Sequence, residues 1–401
     1  MRQRSLHIIY TGPFRFPDGD AAAARVLNNA RCLRLLGHKV EFLSFGGAYR
    51  NEDKTDDGFY YDGFLYRITD DIDLSDGALK SRFANLVAKG VNAFRVLRQL
   101  PVVPDVIIVY NPALVLTWRL IRFVRQNNIS LITDISECYH PDEFPGGRWM
   151  PIAWMNELNI RCMLKAVKNK ILISSFLDRM YTRSHNLVLP PLVDMQEMKW
   201  KGTDVTRLIP PFNGITCIYA GTPSRKDQVL FVLDALLLAT QKGAMIRLVF
   251  LGDGLEALKE KMCRAEMATC VDRVIFPGRV PQDLIPACYQ ASDFSLLFRE
   301  TNRKNEAGFP TKFVESMASG TPVICNLTSD INKYMVAEEN GFILTSTTAE
   351  ELAMVFVRLS TVDNKELNSL KKSALNTAQR YFDYRNYDAV VGCFIDNVKK
   401  G

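Results

Sequence analysis

The stretch Glu306-Ala-Gly-Phe-Pro-Thr-Lys-Phe-Val-Glu-Ser-Met-Ala-Ser-Gly-Thr-Pro-Val-Ile324 decides how the chain is read. Gly308 permits close backbone approach and Pro310 sets φ just ahead of a helix. Residues 311–319 read as a short helix closed by Gly320, and 321–325 as an apolar strand. A helix that starts this way leaves its first N–H groups free, and its dipole favours an anion there. Thr311 and Lys312 sit in the first turn, with Glu315 one turn on. The unit can rest a phosphate on the helix start and offer the Glu315 carboxylate to the two hydroxyls of a ribose. The same letters also describe an ordinary helix start with a solvated Glu and Lys.

Upstream, strands at 215–221, 246–252, 274–276 and 294–298 alternate with helices at 228–240, 256–268 and 284–291. The first half repeats the pattern. A strand at 6–10 leads through a Gly-rich turn to a helix at 21–36 and a strand at 38–44. Strands at 105–110, 129–134, 169–174 and 187–190 then alternate with helices at 113–126, 149–167 and 176–182. Residues 47–78 read as acidic turns around a weak strand at 64–68. Two such alternations predict an α/β chain of two doubly wound, Rossmann-like domains facing each other across a cleft. Residues 1–193 form the first and 214–380 the second. The polar segment 194–213, flanked by Pro190-Pro191 and Pro210-Pro211, reads as their linker. A helical region at 349–379 follows, and the C-terminal helix at 381–401 is a candidate to pack back onto the first domain.

A chain of 401 residues, 47% hydrophobic and 23% charged, is globular rather than disordered or fibrous. No apolar run approaches the ~20 residues of a spanning helix, and the first residues lead into a strand without a signal-peptide core, so a cytoplasmic protein is expected. Nine cysteines without a C-x-x-C pair, and four scattered histidines, predict reduced buried thiols and no metal site. The net charge of +6 lies mostly in residues 1–200, with 26 basic against 21 acidic side chains. Residues 79–104 hold no acid, and Lys80, Arg82, Lys89, Arg95 and Arg98 alternate there with apolar residues. This is either an ordinary surface helix or one drawn to an anionic membrane face. The basic residues form no nucleic-acid motif, so no nucleic-acid partner is expected.

Strand-end loops supply the remaining candidates, because open α/β sheets bind ligands at the carboxyl ends of their strands. Gly19, after the first strand, can let a phosphate approach, and Asp18 or Asp20 can cap the following helix. Asp134, Glu137, Tyr139 and His140 follow the strand at 129–134, where an acceptor would arrive. His140 is the candidate for substrate contact. Gly221 ends the strand at 215–221, and Arg225 and Lys226 precede the next helix. Two cations there oppose the helix dipole unless they share an anion, so they suit either a diphosphate or a solvated turn. Gly252 and Gly254 could let backbone lie against a base or ribose.

Together these stretches resemble the retaining glycosyltransferases of family 4, which have the GT-B fold. The resemblance runs over nearly the whole chain: Pro-Asp-Gly-Asp at 17–20, Tyr-Ala-Gly-Thr-Pro-Ser-Arg-Lys-Asp at 219–227, Phe-Leu-Gly-Asp-Gly at 250–254, and the opening stretch. It implies that Arg225 and Lys226 hold the diphosphate of a nucleotide-sugar donor and that Glu315 holds its ribose. It places the Gly308-Phe309 backbone near the sugar or phosphate and Gly19 near the distal phosphate. It further implies hexosyl transfer with retention and no metal or other cofactor, from a donor of UDP or GDP type. The implied acceptor is a glycan or lipid-linked hydroxyl in capsule, O-antigen or exopolysaccharide synthesis, met at the inner membrane face. The chain departs from the family in two places. Ala307 stands where a first acid is usual, with Glu306 one position early, and Thr222 replaces an arginine. These departures keep two other readings open, a catalytically degenerate nucleotide-binding subunit and a nucleotide-sugar epimerase.

Overall fold

Successive residues of the first strand are buried on alternate faces, with Ile8 and Tyr10 packed on one side of a sheet and Ile9 on the other. A strand buried on both faces needs helices above and below, which is the layering of parallel α/β sheets. The computed structural model describes residues 4–71, 89–144, 146–223 and 228–400 and divides into two units. The first comprises Met1–Val193, Glu306–Phe309 and Tyr384–Gly401; the second comprises Asp194–Asn305 and Pro310–Asp383.

The first unit begins β1 (His7–Phe16), α1 (Ala21–Leu35), β2 (Lys39–Gly47), β3 (Lys54–Thr55), β4 (Gly58–Tyr61) and β5 (Phe64–Ile68). It continues α2 (Val91–Arg98), β6 (Val106–Tyr110), α3 (Leu114–Asn127), β7 (Ser130–Ile135) and α4 (Pro151–Leu158). Then come β8 (Asn169–Leu172), α5 (Ser175–Met180) and β9 (His185–Val188). Among the described residues the sheet order is β3-β4-β5-β2-β1-β6-β7-β8-β9, parallel except where β4 pairs with β3 and β5. One face, with Ile8, Tyr10, Val40, Phe42 and Ile108, is covered by α1 through Val26, Ala30 and Leu33. The other, with Ile9, Leu43, Ile107 and Val109, is covered by α2 and α3 through Ala93, Leu97, Leu116 and Leu120. Asp20 starts α1 by accepting from Ala23 N at 2.8 Å.

The second unit runs β10 (Ile215–Ala220), α6 (Phe231–Gln241), β11 (Ile246–Leu251), α7 (Glu256–Met262), β12 (Val274–Gly278), α8 (Ile285–Gln290) and β13 (Phe294–Leu297). After α9 (Arg303–Ala307) come α10 (Thr311–Ala318), β14 (Val323–Asn326), β15 (Gly341–Leu344), α11 (Ala349–Leu359) and α12 (Asn364–Tyr381). Its described strands are ordered β12-β11-β10-β13-β14-β15, all parallel. Tyr219, Leu248 and Phe250 face α6 and α11, while Ile218, Val249 and Leu251 face α8.

Several expectations need correction. The segment 194–213 is no free linker: Val205 and Ile209 are buried against Ile218 and Tyr289, and Gln290 donates to the Trp200 carbonyl at 2.8 Å. Apolar side chains in a polar-looking stretch were enough to dock it. Residues 47–78 contain β3 and β4 besides the turns, because Phe59 and Tyr60 pair across to β5. The helix expected at 149–167 starts at Pro151 and passes through a π-helical turn, Asn159–Met163, before Leu164–Ala166. The last helix begins at Asp388, after a 3-10 turn at Tyr384–Tyr387, and is α13 (Asp388–Lys400). Val391, Phe394, Ile395 and Val398 of α13 join the first unit's core, and Phe394 stacks on His185 at 4.7 Å. Cys162, Cys263 and Cys393 are exposed rather than buried. Of the basic stretch 79–104, the part before residue 89 lies outside the described residues.

Candidate functional site

The carboxyl ends of β10 and β11 and the start of α10 meet in the second unit. Both strands end in glycines with φ near +125°, Gly221 at +128° and Gly252 at +123°. A Cβ on Gly252 would lie 2.7 Å from the Gly221 carbonyl, so the two turns abut backbone to backbone. Gly254, at φ +70°, comes next, facing Thr222. Beside Gly221 runs the Lys312 side chain, whose Nζ donates to the Tyr219 hydroxyl at 2.9 Å and lies 4.2 Å from that ring's centre. No side chain caps α10, and Phe313 N–H donates to the Pro310 carbonyl at 3.1 Å, so the start of the helix has no acidic or hydroxyl cap to compete with an anion drawn by its dipole.

One turn into α10, Glu315 is half-buried, and its carboxylate takes no hydrogen bond or ion pair from any described residue. Burial pushes its pKa above the usual carboxylate range, and the charges of Lys199 and Lys312 pull against that rise. A desolvated carboxylate flanked by cations and lacking donors is poised to accept hydroxyl groups from outside the chain. Lys199 comes from the 3-10 turn Met198–Lys201, which Gln290 pins to α8. Sequence reasoning left Lys199 within the linker and Tyr219 within the strand at 215–221, and singled out neither as a site residue. A Lys-Trp pair in an otherwise polar stretch was the one signal for Lys199. A cavity of about 460 Å³ opens beside Gly254, lined also by Pro223, Gln228, Phe231, Ala257 and Thr347, within the size range of ligand pockets.

The second unit thus brings Gly221, Gly252, Thr311, Lys312 and Glu315 into one neighbourhood. Arg225 and Lys226 lie outside the described residues. The other candidates fall in the first unit. Glu306, Gly308 and Phe309 group there, and the Ala307 carbonyl accepts from Ser174 Oγ at 2.7 Å. Gly19 is demanded by its own turn, since a Cβ would lie 2.8 Å from Arg15 Cβ. His140 is an exposed local cap: its ring accepts from Asp142 N at 3.4 Å, and Glu143 accepts from its backbone N–H at 2.6 Å. Asp134 is no loop residue. It ends β7 fully buried, paired with Arg25 at 2.8 Å and bonded to the Tyr10 hydroxyl. Among the described residues no group of three or more His, Cys, Asp or Glu side chains is arranged to hold a metal ion.

Residues 214–361 match the model of the family described as Glycosyl transferases group 1. WcaL of Escherichia coli (strain K12), named for colanic acid biosynthesis glycosyltransferase activity, is 26% identical over 190 residues. That match takes in 45% of this chain and 46% of WcaL, so it spans about half the length of that relative. The sucrose-phosphate synthase of Thermosynechococcus elongatus superposes with a TM-score of 0.71 at 16% identity, over 98% of this chain and 99% of that one. Anabaena HepE, solved in complex with UDP and glucose, gives 0.69 at 15% identity over 98% and 100%. The fold is GT-B, with two Rossmann-like domains. The family likeness thus lies in residues 214–361, and the likeness in fold runs over nearly the whole chain.

Proposed function

We propose that the chain is a metal-independent, retaining glycosyltransferase of family 4. It moves a hexosyl unit from a nucleoside diphosphate sugar to a hydroxyl of a growing or lipid-linked glycan in surface polysaccharide synthesis. The observation that carries the donor site is Glu315, half-buried and without a hydrogen-bond donor, one turn from an uncapped helix start beside Lys312. The α10 start and Lys312 take the diphosphate, Glu315 takes the ribose hydroxyls, and Gly221 and Gly252 let the two strand-end turns pack closely against each other and against Lys312. The likeness to HepE, crystallised with UDP, makes UDP the first nucleotide to test.

In the reaction the bond from the anomeric carbon to the diphosphate breaks as an oxocarbenium-like centre forms. The acceptor hydroxyl attacks the same face, and its proton passes to the leaving phosphate. No side-chain nucleophile is needed, so the protein's work is to stabilise charge growing on the diphosphate. Lys312, the α10 start, Arg225 and Lys226 are the groups for that role. No described helix is long and apolar enough to cross a membrane, and we place the enzyme in the cytoplasm, working at the inner face of a membrane.

Calorimetric titration with UDP and GDP, with and without magnesium, tests the reading. Binding of one nucleotide without metal, lost in Glu315→Ala, supports it. A wild-type chain that binds neither, and no other nucleoside diphosphate, overturns it in favour of a degenerate member of the fold.

A further inference from the structure

Helices α2 and α3 bury one face against the first unit's sheet, and every charge they turn outward is cationic. Ala93 and Leu97 of α2, and Leu116, Leu120 and Val124 of α3, point inward. Arg95 and Arg98 of α2 and Arg122 and Arg125 of α3 are exposed, Arg119 is half-buried, and neither helix contains an acid. A groove of about 500 Å³ is lined by Val91, Phe94, Arg95, Arg98, Gln99 and Arg119. Among the described residues, no carboxylate pairs with any of its three arginines, and Arg95 donates to Asn92 Oδ1 at 3.1 Å. Three guanidinium groups around one groove repel one another until an anion is shared between them, and planar guanidinium forks match phosphate oxygens.

The same layer is also unusually apolar at its surface. Trp118 of α3 is 48% exposed with the Arg122 guanidinium 5.1 Å from its ring centre. The neighbouring α4 exposes Trp154 (67%) and Leu158 (49%) one turn apart, after Trp149 at 82%. Lys165 is exposed farther along the same helical run, as is Arg161, which pairs with Glu157 at 2.7 Å, and Val102 and Val103 are exposed just past α2. Indole rings and aliphatic side chains set among arginines and lysines match the boundary between lipid headgroups and hydrocarbon. A nucleic acid would use the cations but has no place for exposed Leu and Val.

We propose that the outer face of the α2–α3–α4 layer docks on an anionic lipid bilayer, with lipid phosphate groups in the Arg95–Arg98–Arg119 groove and Trp118 and Trp154 at the acyl boundary. The inference deepens the membrane placement proposed above and rests on it, while its test, vesicle binding, can fail or succeed separately from nucleotide binding.

The test is flotation of the full chain with vesicles of phosphatidylcholine alone and of phosphatidylcholine mixed with phosphatidylglycerol. The wild type binds the mixed vesicles, releases in high salt, and ignores the neutral ones. Arg95→Gln/Arg98→Gln/Arg119→Gln lowers the partition coefficient about 100-fold, each surface cation being worth roughly a fivefold factor. Trp118→Ala/Trp154→Ala lowers it about tenfold or more through lost apolar burial, with the salt dependence kept. Thermal midpoints of both variants stay near that of the wild type. Undiminished binding by either folded variant, equal binding to neutral vesicles, or binding to an oligonucleotide but to no vesicle overturns the proposal.

Discussion

Lys312 lies against Gly221 so closely that a Cβ there would sit 2.7 Å from Cε and 2.8 Å from Nζ of Lys312, and the lysine would have to move. The glycine also holds φ at +128°, where an L side chain is strained. Gly221→Ala should therefore cost about 1–3 kcal/mol of stability and push Lys312 out of place. Lys312→Met keeps the bulk and removes the charge. Its nucleoside diphosphate affinity should fall about 10- to 100-fold, the loss of one charge-assisted hydrogen bond, while its thermal midpoint changes little. Titration calorimetry beside a melting curve separates the two effects, and unaltered affinity in Lys312→Met would remove Lys312 from the site.

Glu315 should make stability and binding respond in opposite directions. Its folded-state pKa is raised by burial, so folding favours its protonated form. That contribution is complete below the unfolded value of 4.5 and is lost as pH rises through the higher folded value. Glu315→Gln, neutral throughout, should melt above the wild type at pH 7.5, and the gap should close as pH falls to about 4. Nucleotide affinity should drop about 10- to 100-fold in the same variant, two hydroxyls losing a charged acceptor. A variant with wild-type affinity would mean that Glu315 meets solvent rather than a ribose.

Arg225 and Lys226 enter through the chemistry of the leaving group. Either one changed to alanine should lower kcat about 10²- to 10³-fold, as loss of one donor to a developing oxyanion does. The readout is turnover of the donor once calorimetry has named its base. Near-normal kcat in both variants is the result that counts against diphosphate stabilisation by these two cations.

Asp134 should behave as a structural residue. Arg25 Nη2 and Nε reach its carboxylate at 2.8 and 3.1 Å, and both side chains are buried. Asp134→Ala leaves the guanidinium buried without its counter-charge and should cost about 3–5 kcal/mol in urea denaturation. The apolar pair Arg25→Met/Asp134→Leu should recover much of that loss. A stable Asp134→Ala chain would restore Asp134 as a candidate for substrate contact.

The layering was legible because it rests on local patterns. Apolar runs such as 106–110 and 246–251 flanked by amphipathic helices can satisfy themselves in little but a parallel sheet. The opening stretch named Lys312 and Glu315 correctly as neighbours on one short helix, since their spacing alone places them there. It was silent on Lys199, whose route to Glu315 depends on Val205 and Ile209 docking a segment with the polarity of a linker. Asp134 misled for the same reason. A carboxylate at a strand end looks solvent-facing until Arg25, on another element, is found to cover it.

By itself, then, the amino-acid order determined the alternation of strands and helices, the glycine turns at strand ends and the uncapped start of α10. All of these follow from φ preferences and periodicity over a few neighbouring residues. Only the tertiary structure decided that Glu306–Phe309 groups with the first unit while Pro310 opens the second stretch of the other, and that α13 completes the first unit's core. It alone decided which carboxylates are paired and which, like that of Glu315, take no partner among the described residues. Those outcomes depend on side chains far apart in sequence meeting at fixed register, and the energy of such contacts is absent until the sheets have formed.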